Sequence, residues 1–543
     1  MTTAMAQGST GVRRGWSTPA AVIVFVVIAH AVLDLPGHPD AVTSMAFLPL
    51  PLEIPLAALV LLLAPKPVAR LLCVAFSLCI AVILLLKIAD IGTQAAFQRV
   101  FNPYLDLKML RDGWDLLARS AGRPLILVAA LALLLALALL IGGFYKAARH
   151  LARLAESRRR KAVAFFSLLA IIEVGLSLLP AALPVEAKAG PYLLRRVALI
   201  VTSFADMRRF ESELAAATGT SGPADFAAVA GRDVVVIFVE SYGRSAIEDP
   251  RYAPVSGPRL SAMQRKIDGA GLSAASGWLT SPTVGGLSWL AHATTLSGLW
   301  IDSQARYDRL MQSRVPSLNR RFAQAGWQSL AVMPAVTLDW PDARWYGYER
   351  ILAAADLGYR GKPFNWITMP DQYTLSAFER LARAPARVGG RPVMAEIALI
   401  SSHAPWTPVP EPVAWEAIGD GTIFAAQATS GEPPAVVWAD PDNVRRHYIK
   451  TIDYTLEILS EYLARSAGDG LFIILGDHQP AAIVTGPQAS RAVPVHIVSR
   501  DAALVERFRQ AGFSAGLRPG PEAAERPMSG FAPLLLSLLA QTR

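Results

Sequence analysis

The sequence predicts an N-terminal five-helix transmembrane domain followed by a large α/β domain with a mostly parallel sheet covered by helices. Three observations predict it. Apolar runs near the ~20 residues needed to cross a bilayer recur through the first third of the chain. Beyond about residue 231, short apolar strand patterns alternate with helical ones, as in a parallel sheet wrapped on both faces. Of the 543 residues, 53% are hydrophobic and only 17% charged, and the mean hydropathy is +0.35, too apolar for a chain lying wholly in water.

Residues 1–18 are polar, contain Arg13 and Arg14, and read as a cytoplasmic tail. The apolar run that follows, to about Leu35, lacks the small-residue cleavage site of a signal peptide and reads as an uncleaved first helix. Runs over 44–64, 69–87, 124–144 and 162–184 complete a transmembrane domain over 19–184. The second run holds Pro49, Pro51 and Pro55, so its outer end should be irregular.

Lys66 and Arg70 lie between the second and third spans, and Lys146, Arg149, Arg153, Arg158, Arg159, Arg160 and Lys161 between the fourth and fifth. The connection from Asp34 to Ser44 has no Lys or Arg. The positive-inside rule therefore places the N-terminus in the cytoplasm and the C-terminal domain outside. The formal charge of +9 belongs mainly to this topology rather than to nucleic-acid binding. Outside the membrane there is no ATP, which argues against kinases and nucleotide-driven pumps.

Between the third and fourth spans, DLKMLRDGWDLL has helical spacing and is expected at the outer interface, either as a connector helix or in contact with substrate. Residues 185–231 contain GPYLLRRVALIVTSFADMRRFESEL, which has one apolar face and several arginines, as expected of a helix lying on a membrane surface. A linker, TGTSGPADFAAVAG, closes the segment, and the extracytoplasmic domain spans 232–543. Both cysteines, Cys73 and Cys79, precede it, so no disulfide can hold it.

Strands are expected at VVVIFVE, 329–335, 394–401, 471–477 and 494–500, and helices at 317–326, 373–383 and 447–466. No dinucleotide fingerprint, P-loop or G-x-S-x-G motif is present. In DVVVIFVESYGRS a buried-strand pattern ends in Glu240, at the strand end where open α/β sheets bind ligands. A carboxylate there must be paired, solvated at the rim or bound to a cation. LFIILGDHQPA repeats the pattern with Asp477 and His478 side by side, an oxygen–imidazole pair suited to zinc or manganese.

LTSPTVGGLSWLAHATTLSG breaks the chain and then opens a helix. A hydroxyl there, Thr283 with Ser281 and Ser288 as rivals, is placed for helix capping or for attack on phosphorus beside amides that hold phosphate oxygens. In ALISSHAPW a strand runs into His403, as either a structural or a functional residue. His292, His447 and His496 read as structural.

VESYG, SPTVGG, SSHAPW and GDHQP, in that order, resemble the alkaline phosphatase and sulfatase superfamily. Five spans before an external domain resemble lipoteichoic acid synthases and the related phosphoglycerol transferases. The resemblance implies a sulfatase-like fold at the outer face of a bacterial inner membrane. It also implies one divalent metal, Mn2+ or Zn2+, on Glu240, Thr283, Asp477 and His478, with Thr283 as nucleophile and His403 contacting substrate phosphate or leaving group. The expected reaction is transfer of a phosphoglycerol-like group from a membrane phospholipid donor to an envelope glycan or lipid acceptor through a phospho-threonine. No nucleotide or nucleic acid takes part. Arg344 or Arg244 would balance phosphate charge.

The chain departs from that pattern in places. Where lipoteichoic acid synthases carry a His and a Trp-x-Arg patch, residues 332–350 offer Trp340 and Arg344 without the histidine. Phosphoethanolamine transfer is the alternative, although those enzymes usually carry disulfides in this domain. Sulfatase or phosphodiesterase hydrolysis is another, although the C/S-x-P-x-R pattern is missing. A non-enzymatic envelope-binding relative is a further reading, against which the retained ligand residues argue.

Overall fold

In the computed structural model, which describes residues 16–540 except 49, 98, 108–112, 115–121, 178–184 and 220–223, the chain forms two compact units. One comprises the chain to Ala95 and Arg99–Ser203; the other comprises Ala96–Gln98 and Phe204–Arg543. The division falls inside the helix Ala189–Gly219.

The first unit contains helices Thr18–Asp34, Glu53–Leu63, Lys66–Phe97, Arg123–Leu151 and Glu156–Ser177. Among the described residues, two helices are long and apolar enough to cross a membrane, Lys66–Ala95 with mean hydropathy 2.9 and Arg123–Leu151 with 3.1. The second of these buries none of its most apolar window. Against the five expected spans, Thr18–Asp34 has 17 residues and Glu53–Leu63 only 11. The prolines account for the short second helix. Leu50–Pro51 (β1) is extended and pairs in parallel with Val185–Glu186 (β2), and helix begins only at Glu53. Residues 178–184 of the fifth expected span, and most of DLKMLRDGWDLL, lie outside the described residues.

The second unit is built on a nine-stranded sheet. Its strands are Val234–Val239 (β3), Ser273–Thr280 (β4), Gln328–Met333 (β5), Arg350–Ala353 (β6), Val393–Leu399 (β7), Leu471–Gly476 (β8), Ala492–Ser499 (β9), Ser514–Ala515 (β10) and Glu525–Pro527 (β11). The order is β10-β4-β9-β8-β3-β7-β5-β6, with β11 beside β4. The ladders β8–β3–β7–β5–β6 are parallel, whereas β9 runs antiparallel to both its neighbours. The sheet is thus mixed and mostly parallel.

Alternation along β3 sends Val235, Ile237 and Val239 into one core and Val234, Val236 and Phe238 into the other. Helices Ala253–Gly269 and Pro441–Ser466 cover the first face; Ser288–Ser297, Leu318–Gln324 and Phe531–Leu539 cover the second. All six residues of β3 and of β8 are buried, which explains their unbroken apolar runs. The register positions the site. Val239 pairs with both Leu399 and Gly476, so three parallel strands end at one level and their next residues leave the sheet together.

Candidate metal centre and active site

Glu240 follows β3 and Asp477 follows β8, and the shared register places them side by side. Glycine lets their loops touch. A methyl group at Gly476 would lie 1.9 Å from the Tyr242 carbonyl oxygen, and one at Gly243 would lie 1.8 Å from Gln479 Oε1. Backbone strain marks the same place, because Ser241 and Leu287 adopt φ of 57° and 62°. Such conformations cost on the order of 1 kcal/mol or more in non-glycine residues and persist only where the surroundings enforce them.

Glu240, Asp477 and His478 are buried, and one ligand atom from each lies within 4.8 Å of the others. His478 Nε2 is 3.4 Å from Glu240 Oε1 and 3.7 Å from Asp477 Oδ2. Tetrahedral ligands at ~2.1 Å from one zinc-sized ion stand ~3.4 Å apart, so the spacing fits a single cation.

The surroundings orient each donor. Asp477 Oδ1 accepts the amides of Ser241 (2.8 Å) and His478 (2.6 Å), which leaves Oδ2 for the centre. The Nδ1–H of His478 donates to the Gln479 carbonyl at 2.9 Å, so Nε2 is the nitrogen that faces the carboxylates. Ser241 Oγ donates to Glu240 Oε1 at 2.9 Å.

The electrostatics match a site short of positive charge. Burial pushes the Asp477 carboxyl up to about 6, and the neighbouring Glu240 charge adds to the rise. Burial alone would also raise Glu240, but His478, His403 and hydrogen bonds with Asp477 and Ser241 hold it down at about 2. Burial lowers the His478 imidazole, yet Asp477 and Glu240 more than offset this, and the net direction is up. Two carboxylates and one imidazole in a dry pocket suit Zn2+ or Mn2+, which would be held by Glu240, Asp477 and His478.

The hydroxyl bonded to the ligand side chains is that of Ser288. Ser288 Oγ donates to Glu240 Oε2 at 3.0 Å and lies 3.1 Å from His478 Nε2. Thr283 Oγ1 donates instead to the Gly286 carbonyl at 2.7 Å. The reason is the length of the break. After β4 the chain stays irregular through Gly285, Gly286 and left-handed Leu287, and the helix Ser288–Ser297 starts five residues later than Thr283. The Ser281 hydroxyl is engaged with the backbone instead, donating to the Asp477 carbonyl at 2.6 Å.

His403 follows β7, is exposed, and its imidazole acts electrostatically on Glu240. Trp340 packs with Tyr346 and Tyr348, ring centroids 5.5 and 5.9 Å away. Neither expected arginine is committed to the centre. Arg244 pairs with Glu248 at 2.6 Å and Glu525 at 3.3 Å and covers the Trp278 ring. Arg344 is exposed and lines a cavity of about 500 Å³ with Arg314 and Arg320, none of whose lining residues belongs to the centre.

A buried pair lies one helical turn beyond Ser288, formed by His292, a structural residue as expected, and Glu396. His292 Nδ1 meets Glu396 Oε1 at 2.8 Å, and the His292 ring stacks on Phe238 at 3.7 Å. Asn319 (3.2 Å) and the Tyr348 hydroxyl donate to Glu396 Oε2. A glutamate inside the strand pattern MAEIALIS was the available signal. The remaining histidines are structural, as expected. His496 lies between the hydroxyls of Tyr242 and Ser276, with burial lowering it to about 3, and His447 meets the Trp406 carbonyl and Glu432.

No protein-family model and no curated protein matches the sequence. Among solved structures, the chain is similar to lipoteichoic acid synthase LtaP from Listeria monocytogenes at 12% identity and TM-score 0.40, covering 61% of this chain and 78% of that one. It is similar to a protein in the alkaline phosphatase superfamily from Vibrio parahaemolyticus at 12% identity and TM-score 0.34, covering 61% and 75%. Phosphoglycerol transferase GacH from Streptococcus pyogenes, in complex with sn-glycerol-1-phosphate, matches at 11% identity and TM-score 0.36, covering 61% and 89%.

Proposed function

We propose that the protein is a metal-dependent phospho-group transferase of the outer membrane surface, with Ser288 as its nucleophile. The observation that carries the reading is the Ser288 hydroxyl, bonded to Glu240 and in contact with His478, at the start of a helix and partly open to solvent. A divalent cation on Glu240, Asp477 and His478 would lower the pKa of a bound hydroxyl and neutralise charge on phosphate.

Ser288 Oγ attacks the phosphorus of a phospholipid headgroup. The new Oγ–P bond replaces the P–O bond to diacylglycerol, and the serine proton passes to solvent. His403, on the exposed side of Glu240, gives a proton to the departing diacylglycerol oxygen. In the second half-reaction His403 takes a proton from the attacking hydroxyl of an envelope glycan or lipid; the new O–P bond replaces the Ser288 Oγ–P bond, and Ser288 Oγ regains its proton from solvent. The amides that open the helix at Ser288 favour the transferred anion. A phosphoglycerol-like group is the substrate this reading favours, with phosphoethanolamine as the alternative.

Purified full-length protein incubated with Mn2+ or Zn2+ and phosphatidylglycerol should gain the mass of one phosphoglycerol group. The adduct should be absent in Ser288→Ala and retained in Thr283→Ala. Adduct in Ser288→Ala would reject the assignment, and diacylglycerol release that ignores an added alcohol acceptor would favour hydrolysis.

A further inference from the structure

The first unit carries ionisable side chains where an apolar helix has least use for them. Within Lys66–Ala95, which is long and apolar enough to cross a membrane, Lys87 is only 7% exposed and Asp90 only 3%. Burying a charge in such a helix is unfavourable, so these residues mark a function by default and need named partners. Asp90 has them in Arg196 and, at 2.8 Å, the Tyr192 hydroxyl. Among the described residues Lys87 has one hydrogen-bond partner, the Leu33 carbonyl at 2.6 Å at the end of helix Thr18–Asp34, and its ammonium also lies over the Tyr192 ring, 5.6 Å from its centroid.

Lys87 lines a cavity of about 650 Å³ together with Asp34, Lys188, Tyr192 and Arg195. Asp34 is the only acidic residue in that wall, and it is taken by Lys188 and by His30 at 2.9 Å. Three cations against one committed carboxylate leave the cavity net positive. Its remaining wall is largely apolar, with Leu33, Leu35 and Pro191 among it. An ammonium of Lys87 with donors to spare, beside an exposed Arg195, calls for an oxyanion, and the apolar wall calls for hydrocarbon attached to it.

We propose that this cavity binds the phosphate of a glycerophospholipid headgroup, with Lys87 and Arg195 as its charged donors. The site lies wholly within the first unit and shares no residue with the Glu240–Asp477–His478 centre. It stands or falls independently of the transfer chemistry.

The test is lipid binding, not turnover. Delipidated full-length protein in detergent is titrated with dioleoylphosphatidylglycerol and followed by native mass spectrometry, with inorganic phosphate as the competing probe. Wild type, stripped of metal by a chelator so that no lipid is turned over, should retain at least one lipid that depends on this cavity. Lys87→Met should weaken that binding by about tenfold or more, and Arg195→Gln should weaken it to a lesser degree. Arg195 is exposed, so its variant reports on the site even if Lys87→Met folds poorly. Unchanged binding in Arg195→Gln would overturn the proposal. So would inorganic phosphate that displaces the lipid at equal concentration, since the cavity would then recognise free phosphate alone.

Discussion

Ser288 and His478 are 190 residues apart in sequence, yet Ser288 Oγ lies 3.1 Å from His478 Nε2. That contact selects Ser288 from the three hydroxyls of the break after β4. Ser288→Ala should reduce transfer by about 10⁴-fold or more, the scale of loss when a nucleophile is removed. Thr283→Val should lose only its hydrogen bond to Gly286, worth about 1 kcal/mol of stability, and keep most activity. Rates and melting temperatures of the two variants check both halves.

Metal binding should depend on pH with a definite sign. The Asp477 carboxyl is raised by burial and by Glu240 to about 6, above its unfolded value. A raised carboxyl contributes stability at low pH that is lost as pH rises through about 6, because the ionised pair then repels. A cation binds that ionised form, so its stabilising effect grows in the same window. The rise in melting temperature on adding Zn2+ or Mn2+ to chelator-treated protein should be larger near pH ~7.5 than near pH ~5. Equal rises at both would mean that Asp477 is not a ligand.

The close approach of the two strand-end loops gives a prediction that involves no ionisable group. In Gly243→Ala the new methyl meets Gln479 at 1.8 Å from Oε1 and 2.9 Å from Cα. Side-chain movement can relieve the first contact but not the second, so a cost of about 1–3 kcal/mol is expected. Gly257→Ala, on a helix with nothing within 4 Å of the added methyl, is the control and should leave the melting temperature unchanged or raise it.

The strand ends were legible because chemistry and periodicity agree there. A fully buried parallel strand is an unbroken apolar run, and a carboxylate ending it stands out, as Glu240 and Asp477 do. β4 was not legible, since SAASGWLT carries no strong strand signal and is held by β9, β10 and β11 from far along the chain. Which hydroxyl meets Glu240 depends on the path of the break through Gly285, Gly286 and Leu287, all at positive φ, and no propensity specifies that conformation for Leu287. Arg244 and Arg344 had suitable charge, but their surroundings are set by tertiary structure: Glu248 and Glu525 for one, a separate cavity for the other.

Glu396 offers a test of how the nucleophile is positioned. It is fully buried within β7 and is bonded by His292, Asn319 and Tyr348. His292 sits one turn after Ser288 on the same helix, and its ring is clamped between Glu396 and Phe238. Glu396→Leu leaves three buried polar groups without their acceptor, and a loss of about 3–5 kcal/mol is expected. Glu396→Gln keeps the shape and one acceptor oxygen, so the protein should fold with a smaller loss. What the amide cannot do is accept at both His292 and Tyr348, so the helix carrying Ser288 loses part of its anchor. In Glu396→Gln, kcat should therefore fall while KM for the lipid stays near wild type, because the substrate still binds and only the attacking oxygen is displaced. A rise in KM at unchanged kcat would place Glu396 in substrate binding instead.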